Sequence, residues 1–203
     1  MRNDRGPSDR RWVLLAALTV CGLLPHEGSS AAQLSKPGAA ASKGVTYRAF
    51  RDPAGRFEID YPTKDWRLPP SMGTILAAFA RNDGRATLAV DYSRLDGPLA
   101  RSDIAYNTMK DVQIEELKER RPQATDITSE LVETKAGRGA LIRYAMVGAT
   151  GPERGIQFSV PVGQYLYHII AIVSESLLSR NEDVLLHMIE AFQAPAGPPN
   201  PRN

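Results

Sequence analysis

The sequence predicts an α+β fold, an antiparallel sheet of about six to eight strands flanked by two helices. Three observations predict it. Short alternating segments joined by Gly and Pro turns open the folded region. A run of strand-like segments between residues 126 and 173 is linked by short turns. An amphipathic helix with one apolar arc closes it. Short links force neighbouring strands to pair antiparallel, as a meander. If the two helices cover opposite faces, the product is a three-layer α/β/α sandwich.

The elements follow in order. Thr46 to Arg51 reads as a short strand, and Asp52-Pro53-Ala54-Gly55 as a turn. Arg56 to Tyr61 alternates, with Phe57, Ile59 and Tyr61 on one face and Arg56, Glu58 and Asp60 on the other. That is a half-buried strand, ended by Pro62. Thr74 to Arg81 and Ala86 to Ser93 flank Asn82-Asp83-Gly84-Arg85. The Asp-Gly pair tolerates positive φ and marks a hairpin. A helix is expected over Asp103 to Arg120, with Ser102 as N-cap and Pro122 beyond its end. Its apolar arc is Ala105, Tyr106, Met109, Val112 and Leu117, so it should be half exposed.

The meander comprises Asp126 to Thr134, Gly139 to Val147, Gly155 to Val162 and Tyr165 to Val173. In the last of these, Tyr165, Tyr167, Ile169, Ala171 and Val173 share one face. Leu166, His168, Ile170 and Ile172 share the other. Two apolar faces imply a central strand covered on both sides. Ser179-Arg180-Asn181-Glu182 fits a capping box, with Ser179 as N-cap. In the helix that follows, Val184, Leu185, Met188, Ile189 and Phe192 fall on one arc, and Asp183, His187 and Glu190 opposite.

The ends read differently. Arg2, Arg5, Arg10 and Arg11 form a basic start, and Trp12 to Leu24 is apolar but too short to span a membrane core of about 30 Å. Small residues at Ser29 to Ala32 suit cleavage after Ala31 or Ala32. Residues 1–32 are therefore expected as a signal peptide and 33–44 as a flexible linker. Residues 45–193 form the domain, and 194–203 a disordered Pro-rich tail. Leu18-Thr19-Val20-Cys21 resembles a lipobox, but Val20 is bulkier than the small residue normal before the cysteine. Cys21 is thus a weak lipidation candidate, and attachment to a membrane is expected only through it. Arg10-Arg11-Trp12 loosely resembles a twin-arginine export signal. A periplasmic or secreted bacterial protein is the expectation.

The chain of 203 residues carries 25 Lys plus Arg against 23 Asp plus Glu. A net charge of +2 gives no field that would argue for nucleic acid. Cys21 is the only cysteine, so cleavage after Ala31 or Ala32 leaves none for a disulfide, a thiol nucleophile or a metal.

Phe57-Glu58-Ile59-Asp60-Tyr61-Pro62 followed by Trp66, the order of elements, and the ending in a long strand and a helix closing on Ala191-Phe192 carry a family resemblance. The chain resembles the PsbP-like families, including the DcrB-like proteins, over about 145 residues. The resemblance implies an accessory or assembly role without catalysis. It transfers no catalytic residue.

Candidate chemistry is sparse. His26 lies in the leader, His187 on the polar side of the last helix, and His168 among Leu166 and Ile170. No pair has metal-ligand spacing, so neither a metal nor another cofactor is expected. His168 reads as a core histidine; its functional alternative is a proton-linked role at a pocket wall. Asp111, Glu115, Glu116 and Glu119 read as a solvated face, with Glu116 and Arg120 spaced for an ion pair. No serine sits in a nucleophile turn. Tyr61 and Trp66 either line a ligand cleft or close a core edge. The expectation is an exported, non-enzymatic binding protein with a protein partner in the envelope, contacted on the first helix or the hairpin around Asp83-Gly84. A small-molecule or lipid carrier with a pocket near Trp66 is the alternative, and a hydrolase the remote one.

Overall fold

A computed structural model describes residues 32–33, 44–70 and 73–195. The expectations for Cys21, for Ala31, for nearly all of the leader and linker, and for the tail beyond Pro195 lie outside these residues.

The strands form where β-branched and aromatic residues alternate. They are β1 (Ala32–Gln33), β2 (Tyr47–Arg51), β3 (Glu58–Pro62), β4 (Trp66–Arg67), β5 (Ala77–Arg81) and β6 (Ala86–Arg94). Helix α1 (Asp103–Arg120) follows, then β7 (Thr125–Thr134), β8 (Gly137–Gly148), β9 (Gly151–Val162) and β10 (Tyr165–Ser174). A 3₁₀ turn over Glu175–Leu177 leads into α2 (Leu178–Ala191). The large sheet runs β1-β7-β8-β9-β10-β6-β5-β4, and β2-β3 is a separate hairpin. Every pair in the large sheet is antiparallel except β1 on β7, which is parallel.

The expected α+β fold is present, with the sheet between helix layers. On β10, Tyr167, Ile169, Ala171 and Val173 enter the larger core with Val184, Leu185, Met188, Ile189 and Phe192 of the α2 side. The opposite face of the sheet meets α1 through Met109 against Ala140 and Leu166, and Leu117 against Ile142, Tyr144 and Met146. The β2-β3 hairpin lies in the α2 layer. Phe57 stacks on Phe192 at 5.7 Å, and Glu58 and Gln193 exchange backbone hydrogen bonds of 2.8 and 2.9 Å. Asp52, a buried carboxylate at the hairpin turn, holds Arg56 with both oxygens at 2.7 Å. Gly84 takes φ 71°, as the Asp-Gly turn requires.

Several expectations are corrected. The helix start at Ser179 is not observed: the 3₁₀ turn pulls the start back, Leu177 is the N-cap, and it makes no side-chain cap bond. Val112 is 40% exposed and lies off the buried line of α1, which is Met109, Gln113 and Leu117. Those residues are spaced i, i+4, i+8, and a polar one occupies the middle. The second face of β10 is only partly covered, because α1 packs over β7 and β8 and leaves His168, Ile170 and Ile172 half-buried. His187, expected on the polar side of α2, is only partly solvent-facing; its ring lies 3.9 Å from that of Tyr47. Between the expected strands ending at Val147 and starting at Gly155, residues 148 and 151–154 are also strand, since Gly151 at φ 126° permits a tight turn.

Candidate functional site

Beneath α1 the sheet carries a line of polar side chains where an apolar contact would be expected. Ser102 caps α1 by accepting from the Ala105 N–H at 3.2 Å, which fixes the helix phase. That phase turns Gln113 down between Met109 and Leu117, and Gln113 is 3% exposed. On β9, strand alternation sends Ile156, Phe158 and Val160 to the α2 core and Gln157 and Ser159 toward α1. On β10 the register sets His168 opposite Ser159 on one side and Asp91 of β6 on the other.

These groups satisfy one another. Gln157 Nε2 and Ser159 Oγ both donate to Gln113 Oε1 at 3.1 Å. Ser159 Oγ lies 3.0 Å from His168 Nδ1, and Ser93 Oγ lies 3.4 Å from His168 Nε2. With the Ser159 proton given to Gln113, the network assigns the ring proton to Nδ1, which donates to Ser159. Nε2 is then an acceptor facing Ser93. Burial pushes the imidazole down to about 4; Asp91 opposes this and Arg120 adds to it. The ring is therefore neutral at ordinary pH.

That arrangement holds a proton in place without raising basicity. In the Ser-His-Asp arrangement a carboxylate stands behind the Nδ1 of the activating histidine; here Nδ1 faces the Ser159 hydroxyl. Ser159 is fully buried and presents no oxygen to a substrate. Asp91 Oδ1 is occupied by the Tyr92 N–H at 2.7 Å. Among the described residues, no cluster of His, Cys, Asp or Glu could hold a metal ion.

The polar line opens into a cleft of about 310 Å³ at the C-terminal end of α1, lined by Glu116, Leu117, Arg120, Arg121, Tyr144 and Ile170, with Gln157 behind. A shallower hollow of about 530 Å³ lies at the sheet end near Asp83, Arg85, Thr150 and Glu175. Neither is lined by Tyr61 or Trp66.

The residues singled out from the sequence do not converge. Tyr61 and Trp66 are buried in the α2-side core, and Arg48 Nε donates to the Tyr61 hydroxyl. His168 lies on the opposite face of the sheet. Glu116 and Arg120 form the expected i,i+4 pair, at 3.7 Å. Gln113, Gln157 and Ser159 carried no sequence signal as single residues. The spacing Met109–Gln113–Leu117 was the one available cue.

No family model and no curated protein sequence matches the chain. Solved structures do. The cyanobacterial PsbP of Synechocystis matches with TM-score 0.53 and 13% identity, over 74% of this chain and 93% of that one. LpqN of Mycobacterium tuberculosis, described as involved in cell envelope biogenesis, matches with TM-score 0.51 and 11% identity, over 75% and 92%. A protein from Bacteroides thetaiotaomicron matches with TM-score 0.49 and 13% identity over 72% of this chain and 48% of that one, so this chain spans about half its length. The chain has the PsbP-like fold.

Proposed function

We propose that this protein is an exported accessory protein of the bacterial cell envelope that acts by binding a protein partner. The observation that carries the reading is the polar cluster under α1. Its serine is closed off, its histidine is neutral and tied to two hydroxyls, and its glutamine locks the helix to the sheet. Such a cluster stiffens a surface; it does not supply a base. Beside it, α1 presents an exposed polar side and β6 and β10 present a partly open sheet face, which together offer a partner a rigid platform. The fold shared with LpqN, whose description concerns envelope biogenesis, supports an envelope role. The basic, apolar and small-residue pattern ending at Ala31 and Ala32 supports export. Among the described residues, no helix is long and apolar enough to cross a membrane.

The test combines fractionation with site-specific cross-linking. The mature chain should start at Ala32 or Gln33 in the periplasmic fraction. A photo-cross-linker at Val112 or Asp83 should capture a discrete envelope protein, and one at Glu190 should not. A chain that keeps Met1 and stays in the cytoplasm overturns the export reading, and diacylated Cys21 makes the protein a lipoprotein. A turnover abolished by His168→Ala with the fold intact overturns the binding reading.

A further inference from the structure

The cleft beneath α1 is rich in hydrogen-bond donors and short of acceptors. Arg121 is the C-cap of α1, and its guanidinium meets the Met146 sulfur at 3.3 Å. A thioether is a weak acceptor for a group with several N–H donors. Among the described residues, no carboxylate forms an ion pair with it. Arg120 beside it is held by Glu116 at a loose 3.7 Å, and Glu116 also accepts from Gln113 Nε2 at 3.3 Å. Arg120 is thus paired, whereas Arg121 is left without an ion pair among the described residues; Glu153, opposite Met146 on β9, is a second carboxylate, whose charge reaches Tyr144.

The wall of the cleft adds a second observation. Tyr144 on β8 lies across Gly155 of β9, where a Cβ would collide with the ring carbon Cζ. Glycine at 155 thus lets the phenol reach over the neighbouring strand. Tyr144 is 1% exposed, and its hydroxyl is buried with no hydrogen-bond partner among the described residues. Buried hydroxyls nearly always have partners. One without a partner, in the wall of a cleft that also holds a guanidinium without an ion pair, leaves a place for an acceptor from outside. The Gln157 amide N–H₂ is already spent on Gln113 and Ser159. Leu117 and Ile170 make the remaining lining apolar.

We propose that this cleft binds a single carboxylate carried on a small apolar body, with Arg121 as its ionic partner and the Tyr144 hydroxyl as its neutral donor. The Arg121 side chain leaves the Met146 sulfur to meet the anion and uncovers the phenol as it moves. A single guanidinium without an ion pair, with Glu116 and Glu153 near by, matches a monoanion better than a phosphate dianion. At about 310 Å³ the space is that of roughly ten waters, enough for a small acid or one side chain. The carboxylate comes either from a free acid or from an acidic side chain of a partner. For the second source the inference rests on the binding reading above.

The probe is benzoate, titrated into the folded protein while the Arg121 Nε–H and Tyr144 ring signals are followed by NMR. Neutral benzamide and inorganic phosphate are the controls. Benzoate should shift both signals saturably, and both controls should bind at least about tenfold more weakly. Arg121→Gln should weaken benzoate by about tenfold or more. Tyr144→Phe keeps the ring and removes only the hydroxyl; it should weaken benzoate about threefold with no loss of melting temperature. A blocked glutamate peptide, compared with its glutamine twin, is the second arm. Tighter binding than benzoate assigns a partner side chain, and weaker binding a free acid. The proposal is overturned if neither carboxylate saturates, if benzamide equals benzoate, or if both variants bind as the parent does. Failed carboxylate binding with a surviving envelope cross-link removes only this inference. Carboxylate binding without any cross-link removes only the partner reading.

Discussion

Replacing His168 by Gln should change how stability depends on pH, and by an amount the structure sets. In the unfolded chain the imidazole titrates near 6.5; in the fold, burial pushes it down to about 4. Between these values the unfolded chain binds more protons than the folded one. Stability contributed by the neutral ring is thus complete above pH 6.5 and is lost as the pH falls toward 4. At 1.36 kcal/mol per pH unit, the loss is about 2 kcal/mol at pH 5 and up to about 3 kcal/mol below pH 4. Glutamine does not titrate, and it can keep one of the two serine hydrogen bonds at 3.0 and 3.4 Å. The substitution should cost about 1 kcal/mol at neutral pH, because the other serine is left without its ring nitrogen. The two stabilities should therefore cross between pH 6 and pH 5, with the variant the more stable below. Urea unfolding followed by the fluorescence of buried Trp66, repeated across this range, reads the crossing. Curves that stay parallel from neutral pH to about pH 4.5 would refute the assigned burial and network.

Other outcomes follow from the packing. Phe192, fully buried between Phe57 and Tyr167, should cost about 3–5 kcal/mol as Phe192→Ala in thermal or urea unfolding. Gln113→Leu strips the acceptor from the Ser159 hydroxyl and the Gln157 amide and should cost about 1–3 kcal/mol, while Val112→Ala one position away should stay within about 0.5 kcal/mol; equal losses in unfolding would contradict the helix phase. Asp52→Asn breaks the paired oxygens on Arg56 and should cost about 2–3 kcal/mol at neutral pH. Burial raises the Asp52 pKa, but the Arg56 side chain and backbone N–H outweigh this and hold it below 3.8. Its contribution is thus present above pH 4 and lost at lower pH, so the wild-type advantage measured by urea unfolding should shrink there.

What the sequence determined by itself is what periodicity and local chemistry decide. The two-residue repeat of β10 divided its side chains correctly between the α2 core and the α1 face, because alternation is a property of extended backbone. Ser102 located the start of α1, because a cap acts within one turn. The apolar arc of α2 identified the residues that meet the sheet. The α2 capping box failed for a related reason: Ser179 and Glu182 have the right local chemistry, but a 3₁₀ turn set by the exit of β10 had already started the helix.

Tertiary structure alone decided which distant segments became neighbours. Nothing local to β6 says that it lies beside β10, yet that pairing sets Asp91 and Ser93 next to His168. Gln113 is a polar residue on a helix rich in charge and lies outside its expected apolar arc. It became a core residue only because α1 rests on β7 and β8 with the Met109–Leu117 line downward. Tyr61 and Trp66 drew notice as aromatics near a turn, and the hairpin and β5 buried them on the face away from the cleft. The cleft itself joins the end of a helix to residues of three strands, and the unpaired Tyr144 hydroxyl exists only because Gly155 leaves room across the sheet. Side-chain patterns are fixed by bonds a few residues long, whereas a site is made by contacts across the sheet, and those depend on the whole chain having packed.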